Sequence, residues 1–276
     1  MNYKVIADSS ANLYNINRDD FQSVPLHIMV ADKDFVDDKD LNLVEMHQAL
    51  SLHHGKTSTA CPSSQEWMDA FDDADVVFCV TITSNLSGSC NSAMVAASTY
   101  ESMFPERKVY VIDSLSTGPE MVLIVDKINE LIKTGMFHEE IYKEVCDYQK
   151  KTHLYFELAS LDNLAKNGRI SLIIAKGIGI LGIKIVGNAS EKGTLNPLDK
   201  CRGYKRAFNC LISHMKQCGY SGGRVIISHT NNPDGAEEIK EMIKKELGCN
   251  DALIMENRGL CGFYAEPGSI LVGFEA

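Results

Sequence analysis

Three short apolar runs in the first half of the chain each stop at a cluster of small polar residues, and each is followed by a helical pattern. Val5-Ile6 leads to Asp8-Ser9-Ser10, residues 76–82 lead to Thr83-Ser84, and residues 109–112 lead to Asp113-Ser114. Apolar residues recur at helical spacing over residues 43–52, 64–73, 88–103 and 119–134. Strand, polar loop, helix, strand is the rhythm of a parallel sheet with crossover helices. Ligands of such sheets gather at the carboxyl ends of the strands, where these polar clusters stand.

A strongly charged helix over residues 139–151 closes this half, and from His153 the pattern changes. Residues 156–160 read as a strand, followed by helices around Leu161 and Ile173. Residues 182–186 read as another strand, bounded by a turn-rich stretch at 187–193. Helices at 205–217 and 235–247 then alternate with strands at 224–228, 252–256 and 269–274. The expected fold is therefore α/β in two domains. Residues 1–152 form a parallel-sheet α/β/α unit, and residues 153–276 an α/β unit with a mixed sheet. A chain of 276 residues suits two modest domains.

Charge and cysteine spacing narrow the chemistry. A net charge of −10 sets the surface against nucleic acid and against an anionic membrane face. Nine cysteines include no CxxC pair, so a metal site is not expected, and reduced thiols fit a cytoplasmic protein. The first residues run straight into a strand pattern without a cleavable apolar region. The longest apolar stretch, residues 170–186, carries Lys176, Lys184 and three glycines and falls short of a spanning helix.

Gly177, Gly179 and Gly182 match GxGxxG, but a helical pattern precedes them and a strand follows, the reverse of a dinucleotide site. No P-loop occurs. Ser87 could be a nucleophile, yet Leu86-Ser87-Gly88-Ser89 is not the GxSxG elbow, so a hydrolase is the weaker alternative. Ser63 and Ser87 also suit helix N-caps, and a free helix start beside such hydroxyls receives anions. Arg169 can be a ligand cation, a structural ion-pair partner or a surface charge. Lys200, Arg202, Lys205 and Arg206 form a basic patch, either a solvated face or a docking patch for an acidic partner.

Four segments, in order, carry a resemblance: residues 56–63 (KTSTACPS), 82–89 (ITSNLSGS), 111–114 (VIDS) and 161–171 (LDNLAKNGRIS). With Asp8-Ser9-Ser10, residues 200–203 and Pro267-Gly268, the chain resembles the DegV family of bacterial fatty-acid-binding proteins. The resemblance implies a long-chain fatty acid buried between the two domains and presented to an ATP-binding fatty-acid kinase subunit, which makes acyl phosphate for phospholipid synthesis. It implies no catalytic residues and no cofactor beyond the fatty acid itself, and a passing membrane contact is compatible with it. By the same resemblance Thr57, Ser58 and Ser87 hold the carboxylate, Gly88 and Ser89 shape that turn, and Arg169 lines or braces the site. Lys200 and Arg202 then belong to a partner-facing region. A buried chain of about sixteen methylenes, at roughly 0.8 kcal/mol each, supplies on the order of 10 kcal/mol before binding costs.

One departure stands out. The family places a histidine near the carboxyl terminus, where this chain has Tyr264, with Glu266 close by. Either Tyr264 replaces the histidine as a neutral donor, or Glu266 repels a carboxylate and the site holds a different lipid.

Overall fold

The computed structural model describes residues 1–14, 21–53, 55–171 and 182–276. Strands β1 (Tyr3–Asp8), β2 (Phe21–Val24), β6 (Val76–Thr81) and β7 (Lys108–Asp113) form one parallel sheet in the order β2-β1-β6-β7. Helices α2 (Ser64–Phe71) and α3 (Ser89–Met103) cover one face, and α4 (Pro119–Lys133) and α5 (His138–Tyr148) the other. The strand period of two explains how β6 serves both layers. Val76, Phe78 and Val80 pack towards α4 and α5, while Val77 and Cys79 pack towards α2 and α3.

A smaller antiparallel sheet, not anticipated from the sequence, joins β3 (His27–Val30), β4 (Lys33–Val36) and β5 (Thr57–Ala60) in the order β4-β3-β5, with α1 (Leu43–Leu52) beside it. Its strands are four residues long and β5 is TSTA, too short and too polar to show apolar alternation. The hydroxyls of Thr57 and Ser58 therefore belong to an edge strand, not to the end of a parallel one.

The second half is the expected mixed sheet, in the order β10-β9-β8-β13-β11-β12. Its members are β8 (Thr152–Leu158), β9 (Ile183–Ala189), β10 (Leu195–Arg202), β11 (Val225–His229), β12 (Leu253–Glu256) and β13 (Ile270–Glu275). Only β11 and β12 pair in parallel. Helices α7 (Tyr204–Gln217) and α8 (Pro233–Leu247) seal one face; α6 (Asp162–Lys166) and α9 (Gly259–Ala265) lie at the other. The sequence did not reveal β10: its residues alternate in exposure, and Pro197 with a register shift before Asp199 marks it as a protected edge. The helix expected around Ile173 and the Gly177–Gly179 turn lie outside the described residues. Among the described residues no helix is long and apolar enough to cross a membrane.

Helix α4 joins the two halves. Met121, Ile124, Val125 and Ile128 pack on the parallel sheet, while Val122 and Leu123 pack with Ile226 of the mixed sheet. A helix apolar on both sides must be buried on both, and this one is. Its first turn approaches so closely that a Cβ on Gly273 would stand 2.6 Å from the Glu120 nitrogen.

That turn buries Glu120, 5% exposed, whose carboxylate accepts a hydrogen bond from Thr152 Oγ1 at 2.8 Å. Burial outweighs this bond and pushes the carboxyl from its usual value near 4.5 up to about 7. The folded chain thus holds the proton more tightly than the unfolded one. This stability is fully present below about pH 4.5 and is lost as pH rises through about 7. Glu120→Gln should remove about 3 kcal/mol of pH-dependent loss between pH 5 and 8. Urea denaturation of both proteins across that range measures the difference, and parallel curves would refute the assignment.

Candidate functional site

A buried carboxylate holds the start of the site in place. Asp8, wholly buried at the carboxyl end of β1, accepts bonds from the nitrogens of Ser10 (3.2 Å) and Ile82 (2.8 Å) and from the hydroxyl of Ser89 (2.6 Å). Ser10 Oγ also donates to it. Ser89, at the first turn of α3, is thereby turned inward as a brace. Its neighbour Ser87 stays half-buried, its hydroxyl accepting from the Ser89 nitrogen at 3.2 Å. The N-cap of α3 is Gly88, not Ser87, and it supplies no side-chain bond. A Cβ there would reach 3.0 Å from Cys61 Sγ, so glycine keeps the space beside Ser87 open.

Across from Ser87 stands α9. Buried Asp37 accepts from the nitrogens of Gly259 (2.9 Å) and Leu260 (2.8 Å) and from Tyr14 Oη (2.7 Å), which fixes where that helix begins. One face of α9 presents Tyr264, whose hydroxyl lies 2.8 Å from Thr59 Oγ1. Burial raises the Tyr264 pKa, with Thr59 and Arg169 acting weakly the other way, so the phenol is neutral near pH 7. The Arg169 guanidinium lies 5.8 Å from the Tyr264 ring centroid. It donates to the carbonyls of Leu86 (3.1 Å) and Asn167 (2.6 Å), clamping the loop that carries Ser87.

Ser87, Thr59, Tyr264 and Arg169 border one end of a cavity of about 300 Å3 between the two halves. The remainder of its wall is mainly apolar, with Thr117 bonded to Cys261: Leu154, Phe156, Leu158 and Leu271 come from the mixed sheet, with Ile82, Leu86 and Leu260 opposite. This is a largely apolar compartment with hydroxyl donors and a cation grouped together in its wall, suited to a ligand with a hydrocarbon body and an anionic head.

Not every residue singled out from the sequence gathers here. Thr57 lines a neighbouring polar cavity of about 330 Å3, and neither it nor Ser58 borders the apolar one; Thr59 occupies that position. Ser89 faces Asp8. Glu266 also belongs to the neighbouring cavity, its carboxylate accepting from Ser160 Oγ (2.9 Å) and the Asn163 nitrogen (3.0 Å). It is therefore turned away from the hydroxyls. No histidine lines the described part of the apolar cavity, so Ser87 has no imidazole there to act as its base. Lys200 and Arg202 are exposed on β10, outside the cavity. No group among the described residues is arranged to hold a metal ion.

The sequence as a whole matches the DegV family of uncharacterised proteins over residues 2–276. The chain belongs to the DegV family. This DegV protein is 42% identical over 279 residues to a DegV domain-containing protein of Streptococcus pneumoniae, covering 100% of the chain and 99% of that relative. A DegV family protein from Eubacterium eligens, solved loaded with heptadecanoic acid, is 40% identical with a TM-score of 0.97 over 99% of each chain. The fatty acid kinase B3 protein of Streptococcus pneumoniae, solved loaded with linoleic acid, is 42% identical with a TM-score of 0.97, covering 100% of this chain and 99% of that one.

The two halves of this DegV chain also meet at the tip of the β9–β10 hairpin. Asn85 Nδ2 donates to the Lys192 carbonyl at 2.6 Å, beside Leu86 and Ser87. Gly193 adopts φ +71° there, and a Cβ on it would collide with Thr83 Oγ1 and lie 2.9 Å from Leu115 Cα. Gly193→Ala should cost at least about 2 kcal/mol through both effects, read as a lower urea midpoint. Unchanged stability would show that the hairpin does not seat there.

Proposed function

We propose that this chain is a non-catalytic, cytoplasmic carrier of one long-chain fatty acid, held between domains 1–152 and 153–276 and presented to an ATP-binding fatty-acid kinase subunit. One observation carries the reading: a largely apolar cavity between the halves in whose lining Thr59, Ser87, Tyr264 and Arg169 stand together. Relatives with nearly superimposable folds were solved with fatty acids bound, which supports the same cargo here.

In this reading the hydroxyls of Ser87, Thr59 and Tyr264 donate to the carboxylate, and Arg169 lowers the cost of burying its charge. Gly88 leaves the approach open and Ser89 holds the turn. Tyr264 takes the place of a histidine as a neutral donor. Glu266, already bonded in the adjoining cavity, does not oppose the anion. Exposed Lys200 and Arg202 on β10 are the proposed contacts for the kinase subunit, which would attach phosphate to the carboxylate. The fatty acid is the ligand and no cofactor takes part.

Mass spectrometry of the purified protein, native and after solvent extraction, should find one fatty acid per chain; an empty protein or another lipid class would overturn the proposal. Ser87→Ala, Thr59→Val and Tyr264→Phe should each weaken heptadecanoic acid binding about five- to tenfold, one hydrogen bond of roughly 1–1.5 kcal/mol. Ser58→Ala and Glu266→Gln should change it less than about twofold. A large effect from either would return the site to the arrangement inferred from the sequence.

A further inference from the structure

One face of β8 carries, in order along the strand, Thr152, Leu154, Phe156 and Leu158. The last three line the apolar cavity. From Leu158 the chain runs directly into α6, whose Asn163 Nδ2 donates to the carbonyl of Phe263, next to Tyr264, at 2.8 Å and whose Leu164 carbonyl accepts from the Arg169 nitrogen, so the Leu158 end adjoins the polar rim. Leu154 stands four residues back, roughly 13 Å away at ~3.3 Å per residue.

At Leu154 the surroundings change. This side chain, 3% exposed, lines both the apolar cavity and a second one of about 650 Å3. The second cavity is bordered by Glu120, Thr152, Gln149, Asn188 and Ser114. Directly behind Leu154 on the same strand face, Thr152 Oγ1 donates to buried Glu120 at 2.8 Å. Opposite it in the sheet register is Gly273, where the first turn of α4 closes in. Leu154 is thus a partition: apolar wall on one side, hydrogen-bonded acid and amides on the other.

Resting on the fatty-acid reading above, we propose that Leu154 is the stop for the methyl end of the acyl chain and sets the longest chain accepted. Methylenes that pass it leave leucine surface for a compartment lined by Glu120, Thr152 and Gln149, where burial no longer rewards them. Removing the isobutyl group vacates apolar space at the partition itself, in which roughly two further methylenes of a longer chain are buried before the polar compartment begins.

The test compares binding of saturated 16- and 20-carbon acids. Leu154→Ala should raise the affinity ratio of the longer over the shorter about tenfold, equivalent to roughly two further methylenes at ~0.8 kcal/mol each. Leu154→Met, close in volume, should leave the ratio within about twofold of the original. An unchanged ratio in a folded Leu154→Ala protein overturns the stop. Should that variant not fold, the wild-type protein is loaded with a 16-carbon acid bearing a terminal diazirine and irradiated. Adducts at residues 152–154 support the partition, and adducts confined to Leu26 or Leu260 refute it. Failure of the wild-type protein to bind either acid would instead sink the fatty-acid reading and the stop with it.

Discussion

The carboxylate of Asp8 is the constraint from which the site follows. It is removed from water at the end of the first strand and answered by four donors drawn from three segments. Burial alone drives its pKa upward, while each of those bonds opposes the rise. Because an unanswered donor or acceptor there is costly, the loop after β1, the end of β6 and the start of α3 are held in one arrangement. Ser89 is used up in that arrangement, and Ser87, two residues earlier, is left facing the cavity. Asp37 does the equivalent for α9, and through it for Tyr264.

Between these fixed points the mixed sheet presents a leucine-rich face that, among the described residues, no helix of its own half fully covers. Helix α4 covers part of it from the other half. The remainder faces Ile82, Leu86 and Leu260 across a gap that side chains do not fill. Protein interiors are ordinarily packed to crystal-like density, and an apolar gap bounded by strands is suited to a hydrocarbon occupant. The polar groups gather at one end because the strand termini and helix starts lie there, and the apolar strand face runs away from them.

Much of the architecture was legible from residue pattern. Residues 43–52 and 119–134 carry apolar repeats that match α1 and α4 closely, and the apolar runs of β6 and β7 announced buried parallel strands. What escaped were elements that make no such pattern. β5 is four small residues and β10 an edge strand interrupted by Pro197; α9 is a glycine-containing helix of about two turns whose start is set by Asp37, more than two hundred residues earlier. Those misses bear on which hydroxyls border the apolar cavity. Thr57 and Ser58 were implied by the family resemblance, whereas β5 brings Thr59 to the apolar cavity.

By itself the sequence determined that this chain builds a parallel sheet followed by a mixed one, and that polar clusters crown the first, because local periodicity and turn chemistry encode strands and helices directly. It also carried Ser87, Arg169 and Tyr264 as residues of interest. Only the tertiary structure decided which hydroxyls share one cavity, that Ser89 serves Asp8, that Glu266 turns away, and that Leu154 separates an apolar compartment from a polar one. Those outcomes depend on contacts between segments far apart in the chain, and such contacts arise from packing and hydrogen bonding across the fold, which no local pattern records.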